Sequence, residues 1–322
     1  MIKESRKFDV ISIGELNADL IFTGLEEGPV LNREILASGY KKTMGSSTAL
    51  CTANMTKLGL KTAFCSKVGN DEMGRFVLEQ LEKRNIDSSF CIYEDGAETG
   101  VTLSLNWSGD RAMVTVLGVI KTFSLKDFDI NIINSAKHIH VGSFFLQEAL
   151  RADLCTIFKT AHERGITTSL DTGWDNSENW DYGIQSVLEY TDLFFPNETE
   201  AIHIAKAKTL ADAVNRLEKM CKNTVAIKRG KDGAYCLSGG KRYAIKAINS
   251  VKVIDTTGAG DSFNAGFIYG FINGLPIHEC LEYGNASGGI SVGSVGGSDA
   301  DLNIDKVLEI IKKHGKSFIL NQ

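Results

Sequence analysis

Residues 255–267 read Asp255-Thr-Thr-Gly-Ala-Gly-Asp261-Ser-Phe-Asn-Ala-Gly-Phe267, a glycine-rich turn followed at once by a helical pattern. Gly258 and Gly260 let a backbone approach a ligand closely, and the free amides of a starting helix point at whatever sits there. An anion is the natural guest. Asp261 falls in the first helical turn, so a phosphoryl group held by the loop would lie beside its carboxylate. In phosphoryl transfer such a carboxylate accepts the proton of an attacking hydroxyl, while backbone amides stabilise charge on the transferred oxygens. The same residues also suit a plain helix start whose dipole Asp261 complements, worth about 0.3–1 kcal/mol. The residues alone leave both readings open. A P-loop is excluded, because no Gly-x-x-x-x-Gly-Lys-[Ser/Thr] occurs, and Gly258-Ala-Gly260 lacks the third glycine and first-strand setting of a dinucleotide fingerprint.

Outward from this segment, short apolar runs alternate with helical patterns. Phe8 to Ile13, Thr62 to Val68, His138 to Val141, Thr167 to Leu170, Asp192 to Phe195 and Thr224 to Ile227 read as buried strands. Ser47 to Leu58, Glu72 to Arg84, Glu148 to Glu163, Thr209 to Cys221, Ala259 to Phe271, Ile277 to Val292 and Ile304 to Lys313 read as helices. The alternation predicts a doubly wound α/β fold, a mostly parallel sheet with helices on both faces. Residues 20–43 and 98–116 break the rhythm; Thr99 to Asn106 and Ala112 to Val116 alternate around a Trp107-Ser-Gly-Asp110 turn, as in a hairpin outside the main sheet. Such an insertion is expected to form a small β lid over the site, with a functionless edge extension as the alternative. The three prolines form no linker, so residues 1–322 are read as one domain carrying that lid.

Composition narrows the class. Hydrophobic residues make up 43% and charged residues 23%, which suits a globular chain, and the net charge of -5 offers no footprint for nucleic acid. No stretch of 18 apolar residues occurs and the first eight residues lack the apolar segment of a signal peptide, so a cytoplasmic protein without membrane contact is expected. The seven cysteines form no Cys-x-x-Cys pair and read as reduced, buried thiols.

The run from Asp255 to Phe267 resembles throughout the second signature of the ribokinase-like (PfkB) carbohydrate kinases, and it stands in the last quarter of the chain as theirs does. The resemblance implies that Asp261 is the catalytic base and that the amides of Gly258, Ala259 and Gly260 form an anion hole. Ile13-Gly-Glu-Leu-Asn17-Ala-Asp19 is similar to the family's opening strand and Asn-x-Asp element, which implies that Asn17 and Asp19 bind substrate hydroxyls; a carboxylate suits this by accepting several charge-assisted hydrogen bonds. Thr43 to Ala49 with Lys67 to Gly74 resembles the first signature, where Gly45 and Ser46 would face the acceptor. Here the chain departs: Met44 replaces a glycine and Ala49 an asparagine that touches sugar, leaving Ser46, Ser47 or Thr48 to supply hydroxyls. The family's sugar-phosphate kinases often carry a lysine in this loop, so its absence favours an unphosphorylated acceptor.

On the nucleotide side, Pro196-Asn197-Glu-Thr-Glu200 resembles the Asn-x-x-Glu motif, implying ATP contact by Asn197 and Mg²⁺ ordered through water by Glu200. A helix N-cap at Asn197 is compatible with that. Lys228, Gly230 and Gly233 resemble the strand end and turn that bound the ATP site, and Asn285 the asparagine lining the adenine slot. Small residues there also suit tight helix packing. Asp255 and Thr257 with Ser291, Ser294 and Gly296 resemble a monovalent-cation site, implying K⁺. Asp171-Thr-Gly-Trp174-Asp175 departs from an Asp-x-Asn-x-Arg run and lacks its arginine. The resemblance therefore implies a Mg·ATP-dependent kinase acting on a hydroxyl, expected to be primary, of a free sugar or sugar acid. A nucleoside kinase and a sugar-binding regulator without turnover remain as alternatives. Exposed lid edges predict a homodimer.

Overall fold

The computed structural model describes residues 6–107, 110–248, 253–293, 301–314 and 316–319. In chain order the strands and helices are β1 (Phe8–Ile13), β2 (Asn17–Leu25), β3 (Gly39–Met44), α1 (Ser47–Lys57), β4 (Thr62–Gly69), α2 (Glu72–Lys83), β5 (Asp87–Glu94), β6 (Gly100–Trp107) and β7 (Asp110–Val116). They continue as β8 (Ala136–Val141), α3 (Glu148–Glu163), β9 (Thr167–Leu170), α4 (Ile184–Leu188), β10 (Leu193–Phe194), α5 (Glu198–Ile204), α6 (Leu210–Met220), β11 (Thr224–Lys228), β12 (Ala234–Ser238) and β13 (Lys241–Ile245). Last come α7 (Ala259–Ile272), α8 (Ile277–Ser291), α9 (Ile304–His314) and β14 (Phe318–Ile319).

The larger sheet runs β14-β13-β12-β11-β10-β9-β8-β1-β4-β5, parallel from β11 to β5 and antiparallel beyond β11. Its strands are apolar on both faces because helices cover both. Side chains alternate between those faces. Val10, Leu193, Phe195 and Ala226 pack with α1, α7, α8 and α9, whereas Ile11, Ile13, Phe194 and Val225 pack with α3, α4, α5 and α6. The chain leaves β1 for β4 and β5 on one side and returns to β8 on the other. That reversal opens a crevice at the carboxyl ends of the strands, the expected ligand position in such sheets.

Four strands form a separate sheet, β3-β2-β6-β7, with β2 and β6 parallel and both outer pairs antiparallel. It begins at Asn17, nearer β1 than the lost periodicity at Leu20 suggested. A third apolar cluster joins it to the body through Leu16, Ala18 and Met44 packed with Ala49, Ala53, Val77 and Leu81. Met44, which replaces a family glycine, is 1% exposed, so it serves this cluster instead of lining a ligand site. The antiparallel extension β12 to β14, the edge strand β5 and the short helix α4 had no clear signal in the sequence, α5 was marked only by its N-cap at Asn197, and β10 covers only part of the run from Asp192 to Phe195. Among the described residues no helix is long and apolar enough to cross a membrane.

Candidate active site

The crevice is walled by residues just past the ends of β1, β8, β9, β10 and β11 and by the first turns of α1 and α7. At α7 the N-cap is Gly258, with φ 72°, and no side chain caps the helix. The amides of Ala259, Gly260 and Asp261 thus start a helix with no side-chain oxygen supplied to them. Ser47, the first residue of α1, donates its hydroxyl to the Asp261 carboxylate. Deeper between the same helices, Asn54 Nδ2 donates to Ser262 Oγ at 2.9 Å, which fixes α1 against α7. Desolvation raises the Asp261 pKa to about 7, with repulsion from Asp171 adding to it, against the Ser47 hydrogen bond and the Lys228 charge.

Asp171, one residue past β9, anchors the floor. Its carboxylate pairs with the Lys228 ammonium, accepts Asn264 Nδ2 at 2.6 Å and accepts the Gly173 amide at 3.1 Å. Burial would raise its pKa, but the charge of Lys228 and these hydrogen bonds hold it below the usual carboxylate value. Burial likewise opposes the Lys228 ammonium, yet Asp171 and Glu200 raise its pKa above the ordinary lysine range. A methyl group added to Gly260 would lie 3.6 Å from Lys228 Nζ, so this ammonium borders the amide loop.

Asn197 and Glu200 form a capping box on α5: Glu200 accepts the Asn197 amide at 2.8 Å and returns its own amide to Asn197 Oδ1 at 2.9 Å. Glu200 also accepts from Thr172 Oγ1 at 3.2 Å. Desolvation, with Asp171 repelling and Lys228 attracting, places its pKa at about 7. The box turns this carboxylate inward beside Lys228, where one or two oxygens with bound waters suit Mg²⁺, an ion that keeps several waters and uses few protein ligands. Among the described residues no group of three or more His, Cys, Asp or Glu converges on a metal position. Gly230 and Gly233 adopt positive φ in the turn after β11, and Asn285 Nδ2 donates to the Lys246 carbonyl at 3.0 Å, tying α8 to the chain after β13. Asp255 accepts the amide and hydroxyl of Thr257 at 2.8 and 2.7 Å. Ser291 donates to the Gly288 carbonyl at 3.0 Å, while Ser294 and Gly296 lie outside the described residues.

In the small sheet, Asp19 and Asn17 meet on β2, with Asn17 Nδ2 donating to Asp19 Oδ1 at 2.8 Å. Burial raises the Asp19 pKa to about 6 against hydrogen bonds from Asn17 and Thr102. Gly45 packs directly on this pair; a methyl group there would overlap the Asp19 carboxyl and approach Asn17 Nδ2 to 2.6 Å. The three hydroxyls after it diverge. Ser46 donates to the Glu15 carbonyl at 2.6 Å and caps α1 by accepting the Ala49 amide at 3.0 Å, so the hydroxyl expected at the acceptor is spent on the backbone. Thr48 donates to the buried Glu15 carboxylate and accepts the Gly142 amide at 3.1 Å. Only Ser47 of the three meets Asp261.

Three side chains enter the site that the sequence had not put there, Glu15, Asn264 and Arg111, and Asp171, noted in the sequence only as the start of the departing run, enters with them. Asp171 carried a usable signal, a carboxylate directly after a buried parallel strand. Arg111 of β7 donates to Thr257 Oγ1 at 2.6 Å, so the small sheet reaches the loop before Gly258. At the departure from the Asp-x-Asn-x-Arg run, Asp175 accepts the amides of Ser177 and Trp180 at 3.0 and 2.6 Å, holding a loop where relatives have a cation.

The family described as pfkB family carbohydrate kinase matches residues 7–304. The chain is 28% identical over 306 residues to a 2-dehydro-3-deoxygluconokinase of Bacillus subtilis, spanning 91% of this chain and 92% of that one. It is 28% identical over 331 residues to a 5-dehydro-2-deoxygluconokinase of Geobacillus thermodenitrificans, spanning 96% and 94%. Among solved structures, an E. coli chain described as a candidate ribokinase II, in complex with ATP and Mg²⁺, shares the fold with a TM-score of 0.83 at 23% identity, covering 95% of this chain and 100% of that one.

Proposed function

Because the chain belongs to the pfkB family of carbohydrate kinases, we propose that it transfers the γ-phosphoryl group of ATP to a primary hydroxyl of a free sugar acid, with Asp261 as general base. The observation that carries this reading is the convergence of Asp261, the Gly258 to Gly260 loop and Lys228 at one end of the crevice. No side chain caps that loop, and among the described residues only its Ala259 amide has a backbone partner, the Thr256 carbonyl at 3.2 Å. The carboxylate takes the proton of the acceptor hydroxyl, and the amides with Lys228 stabilise charge on the transferred oxygens. Glu200 and Asn197 would hold Mg²⁺ and its waters, which neutralise the nucleotide phosphates when bound. Asp255, Thr257 and Ser291 would border a K⁺ position.

An acid is favoured over a neutral sugar by two independent points. The relatives quoted above act on keto-deoxy sugar acids. Arg111 also brings a guanidinium from the small sheet to the loop before Gly258, and a guanidinium there would pair with an acceptor carboxylate. The small sheet acts as the lid, and Asp19 and Asn17 on its β2 strand bind acceptor hydroxyls. Its Tyr40, Met113, Val114 and Val116 are exposed, and a second copy of the chain covers them in a homodimer. The seven free cysteines suit a reducing cytoplasm.

An ADP-release assay across 2-dehydro-3-deoxygluconate, 5-dehydro-2-deoxygluconate, ribose, fructose and adenosine tests the reading. The two acids are expected to turn over fastest. Preference for adenosine would make this a nucleoside kinase, and ligand binding without turnover would make it a regulator. A monomeric mass by light scattering at micromolar concentration would refute the dimer.

A further inference from the structure

The Ser47 hydroxyl already makes the hydrogen bond to Asp261 that an acceptor hydroxyl has to make. We infer that Ser47 is itself a phosphoryl acceptor: with MgATP bound and no sugar present, the enzyme phosphorylates its own Ser47. The inference rests on the proposed role of Asp261 as base.

Geometry separates Ser47 from its neighbours. The hydroxyl proton of Ser46 goes to the Glu15 carbonyl and that of Thr48 to the Glu15 carboxylate, so neither is offered to the base beside the amide loop. Ser47 stands at the first position of α1, partly exposed, across from the first turn of α7. The Asn54 to Ser262 contact holds the two helices at this separation. The hydroxyl and the base are therefore positioned by packing before any ligand arrives, which is the main requirement for such a transfer.

In the step, the Ser47 proton passes to the Asp261 carboxylate and a bond forms between Ser47 Oγ and the γ-phosphorus. The bond from that phosphorus to the bridging oxygen breaks, and ADP leaves with the electron pair. The amides of Gly258 to Gly260 and the Lys228 ammonium face the transferred oxygens. The product carries its phosphate in the first turn of α1, the favourable end of the helix dipole. It also fills the space beside Asp261 that the sugar hydroxyl needs. A bound sugar shields Ser47, so the modification marks enzyme that holds nucleotide but lacks an acceptor, and shuts it.

The test is incubation of the purified full chain with γ-labelled MgATP alone, followed by intact-mass measurement and peptide mapping. One phosphoryl group per chain is expected, located on Ser47, absent from Ser47→Ala and Asp261→Asn, and suppressed by added 2-dehydro-3-deoxygluconate. Peptide mapping of the unaltered chain decides the matter even where a variant folds poorly. No incorporation, or incorporation at another residue, overturns the inference. Sugar turnover without Ser47 labelling does so while leaving the proposed function standing; absence of both turnover and labelling removes both.

Discussion

Asp261→Asn should lower activity and raise stability together, and both effects should grow as pH rises. With a pKa of about 7, about a tenth of the carboxylate is ionised at pH 6 and about nine tenths at pH 8. A general base must be ionised, so initial rates with both substrates below saturation and Mg²⁺ in excess should rise about tenfold between those values. A carboxylate at the ordinary 3.8 would give a flat profile there. The Asn variant should lose about 10²–10⁴-fold at pH 8.

The stability sign follows from linkage. The native state holds this proton more tightly than the unfolded chain, so stability falls as pH rises from about 4 to about 7. The full displacement is worth about 4 kcal/mol at 1.36 kcal/mol per unit, and the residue's remaining exposure reduces the gain from Asn to about 1–3 kcal/mol. At pH 8 the variant should melt about 2–6 °C higher by calorimetry, and the gap should shrink to less than half at pH 5 and close below about pH 4. Were Asp261 only a partner of the helix dipole, Asn would destabilise instead. A flat rate profile, loss of less than about tenfold on substitution, or a lower melting temperature at pH 8 would each refute the reasoning.

Lys228→Met strands the buried Asp171 carboxylate and should cost about 3–5 kcal/mol in urea denaturation, with Asp171→Asn added to it restoring more than half. Gly45→Ala should drive the Asp19 carboxyl from its place, raising the acceptor KM at least about tenfold while nucleotide binding holds, since the added methyl meets only Asp19 and Asn17 at its closest approach. Asp19, raised to about 6 by burial, must be ionised to accept hydroxyl protons, so acceptor affinity by calorimetric titration should fall about tenfold from pH 7 to pH 5.

What the sequence disclosed and what it withheld divide along chain separation. The amide loop and its carboxylate lie within four residues of one another, and the Asn197 and Glu200 box within three, so local helix chemistry makes both legible. Strands and helices were legible for the same reason, because period and capping are local. The antiparallel extension was not, since β12 to β14 are short strands near the edge of the sheet without a full apolar run. The contacts that turn these parts into one site span far more chain: 57 residues from Asp171 to Lys228, 146 from Arg111 to Thr257, and 214 from Ser47 to Asp261. No spacing rule reaches that distance. The departures at Met44, Ala49 and Asp175 therefore look like damage in sequence, whereas in the fold Met44 and Ala49 fill the cluster under the small sheet and Asp175 holds a loop. Met44 and Ala49 alter the packing under the small sheet and Asp175 the loop after β9, while the Asp261 carboxylate, the amide loop and Lys228 stay together.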